Sequence, residues 1–324
     1  MRYVIYGAGA IGGVLGARLF SAGFDATVIA RGPHLEAIRR NGLRVDSPDG
    51  TETVPVPAVA APDDVGIAAG DVVILAMKTQ DTGAALAALR DSADPATAIV
   101  CLQNGVENER MALRSFEHVY GVCVMFPATH TEPGVVQSQS TPIPGLLDIG
   151  RYPHGADDTA EQVAAAFRKA SFVSEVREDI MRWKYRKLMM NLTNAVQALC
   201  GTGEEARPLV ERIRAEGLAC LQAAGIDVAS EAEETARRGD LLQVRPVAGQ
   251  TRTGGSSWQS LHRGTGAIEA DYLNGEIVLL GRIHGVPTPA NEAVRRLANS
   301  VARERGRPGS VPVQQILDAL PRQS

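Results

Sequence analysis

Nothing in this chain has the spacing of a metal or disulfide site. The four cysteines, Cys101, Cys123, Cys200 and Cys220, are far apart and form no C-x-x-C pair. They read as small core residues kept reduced, and a cytoplasmic location is expected. The six histidines, His34, His118, His130, His154, His262 and His284, lack the short spacings of zinc ligands, so no metal is expected. No apolar run approaches the roughly 20 residues that span a bilayer. The apolar start after Arg2 is broken by glycines at 7, 9, 12 and 13, unlike a signal peptide. Charge of neither sign dominates: 33 basic against 37 acidic side chains leave a net charge of -4. That gives no electrostatic reason to expect nucleic acid or an anionic membrane as a partner. Any anion site must be local.

What is present is ordinary globular composition, 44% hydrophobic and 22% charged, over a length that suggests two domains. Short apolar runs at Arg2–Tyr6, Asp25–Ala30, Asp71–Met77 and Ala98–Leu102 read as parallel strands covered on both faces. Helical patterns lie at 10–22, 33–41, 79–90 and 107–115. That alternation implies βαβ units and a doubly wound, mostly parallel sheet. Residues 118–150 turn β-rich, 160–169 look helical, and a last strand is expected over 172–176. After Asp179 long 3.6-periodic segments dominate, at 180–199, 207–224, 230–238, 266–284 and 290–305. The expected organisation is an α/β Rossmann domain over 1–176 and an all-α domain over 177–324. The Met- and Leu-rich helices would suit a homodimer, and an ordinary core accounts for them equally.

The strand Tyr3-Val4-Ile5-Tyr6 runs directly into Gly7-Ala8-Gly9-Ala10-Ile11-Gly12, which opens a helix. This is G-x-G-x-x-G in the setting its chemistry needs. Gly7 permits the tight turn, Gly9 lets backbone approach a pyrophosphate, and Gly12 lets helix and strand pack closely. The phosphates would rest on the free N–H groups at the helix start. Sites selecting NAD place a carboxylate after the second strand to bond the ribose 2′-hydroxyl. Here that strand ends in Ile29-Ala30-Arg31. A guanidinium there favours the 2′-phosphate, so NADP(H) is the expected cofactor. Lys78 and Asn104 each follow a strand at its carboxyl end, where open α/β sheets bind ligands. Lys78 could hold a cofactor hydroxyl, and Asn104 could contact nicotinamide or substrate.

In the helical half, Lys187, Asn191 and Asn194 recur at i, i+4 and i+7 and share one helix sector of about 60°. A positioned ammonium can protonate a carbonyl oxygen as hydride reaches its carbon, and asparagines can bond a carboxylate. Ser257, in Gly254-Gly255-Ser256-Ser257-Trp258, reads either as a helix cap or as a ligand for a substrate carboxylate. Glu269, twelve residues on, would hold and tune the lysine if it faces it.

The order of these elements resembles the ketopantoate reductase (2-dehydropantoate 2-reductase) family over nearly the whole chain. The resemblance rests on the Gly7–Gly12 loop, Ala30-Arg31, Met77-Lys78, Gln103-Asn104-Gly105, Arg186-Lys187-Leu188 with Asn191, Ser256-Ser257, Ile268-Glu269 and Asp271-Tyr272-Leu273-Asn274-Gly275. It implies NADPH-dependent reduction of 2-dehydropantoate to pantoate in a cleft between a Rossmann and a helical domain. By position it implies Lys187 as general acid with Glu269 as partner, Asn104, Asn191 and Ser257 on substrate, and Lys78 near the nicotinamide end. Arg31 would read the 2′-phosphate. The chain departs from the family pattern at Asn194, one residue earlier than the usual second asparagine. Ala195 stands at that usual position, Ile268 replaces a common threonine, and Trp258 and Leu261 replace a methionine and an acidic residue. A reductase of another small keto acid or ketone, or a nucleotide-binding sensor without catalysis, are the competing readings.

Overall fold

The computed structural model describes residues 1–247, 249 and 253–321. The chain forms two compact units, Met1–Lys184 with Glu231–Arg252, and Tyr185–Ser230 with Thr253–Ser324.

The first unit begins β1 (Tyr3–Tyr6), α1 (Ala10–Ser21), β2 (Ala26–Ile29), α2 (Gly32–Asn41), β3 (Leu43–Ser47), β4 (Gly50–Val54) and β5 (Ala58–Val59). It continues with β6 (Val72–Leu75), α3 (Thr79–Ser92), β7 (Ala98–Cys101), α4 (Asn108–Leu113) and β8 (Val119–Met125). Then come β9 (Ala128–Glu132), β10 (Val135–Ser138), β11 (Ser140–Pro142), β12 (Leu146–Arg151), α5 (Asp158–Lys169) and the start of α6 (Ile180–Asn191). Seven strands make one sheet in the order β12-β8-β7-β6-β1-β2-β5. All neighbours are parallel except β12, which runs antiparallel to β8. In β1 the period-2 alternation sends Tyr3 and Ile5 into one buried cluster and Val4 and Tyr6 into another. A strand covered on both faces needs apolar residues throughout, which is why these runs do not alternate with polar ones. From β1 the chain passes to β2 on one side and later returns to β6 on the other. The carboxyl ends of β1 and β6 therefore flank the point where strand order reverses, the usual ligand crevice of such sheets.

Of a second sheet, β4-β3-β10-β9, the strands β9 and β10 fall in the β-rich stretch expected over 118–150, while β3 and β4 escaped the sequence reading. Its strand β4, Gly-Thr-Glu-Thr-Val, is exposed at four of five positions, so no apolar run marks it. The strand expected over 172–176 is reduced to two bridges, Val173 to Leu146 and Val176 to Ile149.

The second unit holds α7 (Thr193–Cys200), α8 (Arg207–Ala223), α10 (Ser256–His262), α11 (Asn274–His284), α12 (Pro289–Arg303) and α13 (Val313–Asp318). Between α8 and α10 come α9 (Glu231–Arg238) and β13 (Leu242–Val244), which belong to the first unit. A boundary at 177 follows the change in periodicity, whereas the compact units part between Lys184 and Tyr185, inside α6. The first turns of α6 belong with the sheet: Ile180 is fully buried beside Gly150, and Lys184 is buried against Glu109. The 231–247 segment returns because Arg237 donates to both carboxylate oxygens of Asp148, at 2.6 and 2.8 Å, and β13 pairs with β11. These ion pairs and strand pairings have no signature in hydrophobic periodicity.

Candidate active site

The glycine loop closes tightly on the strand beside it. Gly7 has φ +106°, and a Cβ there would lie 2.8 Å from the Met77 nitrogen, so the loops after β1 and β6 touch. A Cβ on Gly12 would fall 2.1 Å from the Gly7 carbonyl oxygen and 2.7 Å from Ala76 Cβ. At Gly9 a Cβ would meet nothing within 4 Å. Gly9 is the N-cap of α1, no side chain caps that helix, and its first turn carries no acid. Its first N–H groups have no intrahelical acceptor, and the space beside Gly9 is free for an anion. A dinucleotide pyrophosphate fits these residues. His34 braces the loop from α2: its Nε2 donates to the Ala8 carbonyl at 2.7 Å, and its Nδ1 accepts from the Gly134 N–H at 2.8 Å. Arg31, exposed, is the N-cap of α2 directly after β2.

Lys78 is half-buried and forms the N-cap of α3, and Asn104 is half-buried in the loop after β7. Buried amides and hydroxyls join their two loops. Gln103 Nε2 donates to the Met77 carbonyl at 2.9 Å and to Thr82 Oγ1 at 2.7 Å. Thr82 donates to Asn108 Oδ1 at 2.8 Å, and Asn108 Nδ2 donates to the Asn104 carbonyl at 3.1 Å and to Thr79 Oγ1 at 3.2 Å. Asn108 and Thr82 are fully buried. Leaving such groups unpaired would cost about 1–3 kcal/mol each, so this network holds one arrangement of the loops.

In the second unit the helix expected over 180–199 is two helices, α6 and α7, meeting at Leu192, whose φ of −58° and ψ of −27° remain helical. Asn191 ends α6 and is buried; Lys187 and Asn194 are half-buried. The Leu192 carbonyl accepts from Asn274 Nδ2 at 3.1 Å, and the same nitrogen donates to Asn291 Oδ1 at 3.0 Å. The helix expected over 266–284 begins only at Asn274, because Ile268 is extended (φ −144°, ψ 153°) and Leu273 is not helical (φ −111°, ψ −85°); a single 3-10 turn, Glu269–Asp271, lies between them. Glu269 is buried at the head of that turn, and its carbonyl accepts the Tyr272 and Leu273 N–H groups. The Asn274 bond thus ties the Glu269 segment to the residue following Asn191.

Ser257 is not a cap. The N-cap of α10 is Gly255, whose N–H donates to Gln197 Oε1 at 2.9 Å. A Cβ on Gly255 would lie 3.2 Å from Asn194 Oδ1, which brings Asn194 beside the serine segment. Ser257 is 2% exposed, and its Oγ has no hydrogen-bond partner among the described residues. The hydroxyls of Ser256, Thr97, Ser138 and Ser140 are buried without a partner among the described residues too, so it is the place of Ser257 in the segment beside Asn194, with the missing bond, that makes it a candidate for a polar ligand. Next to it, Trp258 stacks on His262 at 4.8 Å between centroids and 14° between planes.

Among the described residues no His, Cys, Asp or Glu cluster could hold a metal ion, and no helix is long and apolar enough to cross a membrane. Sequence reasoning missed His34, Asn108 and the buried Glu109–Lys184 pair. The one signal for Lys184 was a charge among Ile180, Trp183 and Leu188, in a segment read for Lys187, Asn191 and Asn194.

The family model for ketopantoate reductase PanE/ApbA matches residues 3–154, and that for its C terminal matches residues 179–302. The chain is 32% identical over 318 residues to the 2-dehydropantoate 2-reductase of Halobacterium salinarum, covering 93% of this chain and 98% of that protein. A crystal structure of a PanE/ApbA family ketopantoate reductase from Ralstonia eutropha is similar with TM-score 0.79 at 28% identity, covering 94% of this chain and 99% of that one. The ternary structure of D-mandelate dehydrogenase with NADH and anilino(oxo)acetate shares the fold, with TM-score 0.80 at 21% identity over 94% and 99% of the two chains.

Proposed function

Because this chain belongs to the ketopantoate reductase PanE/ApbA family, and is an oxidoreductase of that family, we propose that it reduces 2-dehydropantoate to pantoate with NADPH. The observation that carries the keto-acid part is the buried, unpartnered hydroxyl of Ser257, two residues after Gly255, which lies beside Asn194. A substrate carboxylate that reaches this oxygen would give it the acceptor it lacks.

Residues 1–176 supply the nucleotide-binding part of this reading and 177–324 the catalytic part. Gly7, Ala8, Gly9, Ala10, Ile11 and Gly12 would hold the pyrophosphate, Arg31 the 2′-phosphate, and Lys78 and Asn104 the nicotinamide end. Bound NADPH would supply the hydride. Lys187 gives a proton to the carbonyl oxygen at C2, so that one hydride and one proton convert ketone to alcohol. Glu269 keeps the lysine charged and oriented, and Asn191, Asn194 and Ser257 hold the carboxylate and hydroxyl of the substrate. The test is oxidation of NADPH in the presence of 2-dehydropantoate and a panel of other 2-keto acids. Turnover fastest with 2-dehydropantoate supports the reading; no turnover with any keto acid rejects it.

A second reading, reduction of a different 2-keto acid by the same chemistry, is favoured by Trp258. This half-buried indole, one residue after Ser257 in α10, stacks on His262 and adds an aromatic surface to the segment. Faster turnover of a 2-keto acid with a bulky apolar side chain would select it.

A further inference from the structure

We propose that Glu109 and Lys184 form a buried ionic strut that positions the Gln103-Asn104-Gly105 loop for turnover. This rests on the reading of Asn104 as a residue that contacts nicotinamide or substrate.

Lys184 Nζ lies 2.6 Å from Glu109 Oε1, and the two side chains are 2% and 0% exposed. The same ammonium donates to the Gln103 carbonyl at 2.9 Å and to the Val122 carbonyl of β8 at 3.2 Å. The ammonium thus bonds two carbonyls, one of them in the loop that carries Asn104, and meets Glu109 as an ion pair in which neither Glu109 oxygen makes a hydrogen bond among the described residues. The strand beneath is notched to admit the pair. A Cβ on Gly121 would approach Lys184 Cδ to 3.1 Å and Glu109 Oε1 to 3.2 Å. Burial pushes the Glu109 carboxyl up, and the Lys184 charge opposes it.

Stability alone is a poor account of two charges in this place, because well-packed apolar side chains of equal volume usually serve a core as well or better. What an apolar pair cannot do is bond a loop carbonyl from a fixed direction. The adjacent carbonyls of Gln103 and Asn104 are each gripped from within, by Lys184 and by Asn108. With both peptides fixed, the Asn104 side chain leaves the loop in one direction. A shift of about 1 Å at such a residue can lower turnover about 10²-fold. Three residues after Lys184, α6 carries Lys187. Glu109 and Lys184 are therefore positioning residues that need not touch substrate.

The test compares the full-length wild type with the double variant Glu109→Gln/Lys184→Met, which removes both charges together. The expected result is a folded protein whose Kd for NADPH stays within about twofold of wild type. Its kcat/KM for 2-dehydropantoate falls about 10²-fold, and its amide hydrogen exchange rises at residues 103–107 but not in β1 or α1. A folded double variant with wild-type kcat/KM and unchanged exchange at 103–107 overturns the proposal. If wild type turns over no keto acid, the reductase reading fails by itself and exchange at 103–107 alone decides the strut. If the double variant does not fold, Gly121→Ala, which presses on the pair while keeping both charges, is read the same way. The strut predicts faster exchange at 103–107 there, and unchanged exchange contradicts it.

Discussion

His34 Nε2 donates to the Ala8 carbonyl oxygen at 2.7 Å, inside the glycine loop, while its other nitrogen accepts from Gly134. A backbone N–H can only donate, so Nδ1 must carry the lone pair and the ring must be neutral. Burial pushes the His34 ring below its ordinary value of 6.5, against the opposing effect of the Ala8 bond. The His130 ring lies against it, tilted by 59°, with the centroids 4.4 Å apart. A histidine with a lowered folded value contributes stability that is fully present above the unfolded value. That contribution is lost as pH falls through the folded one. The melting temperature of wild type should thus drop from pH 7 to pH 5 more steeply than that of His34→Gln, whose amide keeps the Ala8 bond without titrating. The Kd for NADPH should rise over the same interval in wild type. Parallel pH profiles for the two proteins would contradict this.

The two glycines of the loop separate stability from binding. Gly12→Ala forces a Cβ into the Gly7 carbonyl and Ala76, and overpacking of this kind costs about 1–3 kcal/mol. Gly9→Ala meets no protein atom and should leave the denaturation midpoint unchanged while weakening NADPH binding. Denaturant titration beside NADPH titration checks both; equal stability loss in the two variants would refute the assignment.

Ser257→Ala deletes a buried hydroxyl that bonds nothing among the described residues. Its Tm should not fall, because no bond is broken and a desolvation cost is removed. KM for the keto acid should rise about tenfold, matching one hydrogen bond to a charged group. A lower Tm with unchanged KM would make Ser257 a structural residue.

Arg31→Ala should raise KM for NADPH about 10- to 100-fold, the worth of one or two charge-assisted bonds, and leave KM for NADH nearly unchanged. Steady-state kinetics with both cofactors decides it. An equal effect on the two would show that Arg31 does not read the 2′-phosphate.

The parts of the fold that were legible in the sequence are those written by burial on both faces. The runs at Tyr3–Tyr6 and Val72–Leu75 are apolar throughout because both sides are covered, and the glycine loop between strand and helix is just as plain. The motif order from Gly7 to Asn274 also revealed the family, and the match extends over both halves. What stayed hidden was built from long-range polar contacts. Arg237 and Asp148 are 89 residues apart, Lys184 and Gln103 are 81, and neither pair leaves a local pattern. Ser257 was open between cap and ligand because both need a small hydroxyl at a helix start. The position of Gly255 at the cap, with Ser257 the second residue of the helix, removes the cap reading.

The central claim is that the ammonium of Lys187 delivers the proton that accompanies hydride transfer. Its most direct test is the kcat of Lys187→Ala for NADPH-dependent reduction of 2-dehydropantoate, with the Kd for NADPH measured alongside. The account predicts a fall in kcat of about 10²–10⁴ with cofactor binding unchanged. A Lys187→Ala enzyme that turns over at the wild-type rate would contradict it.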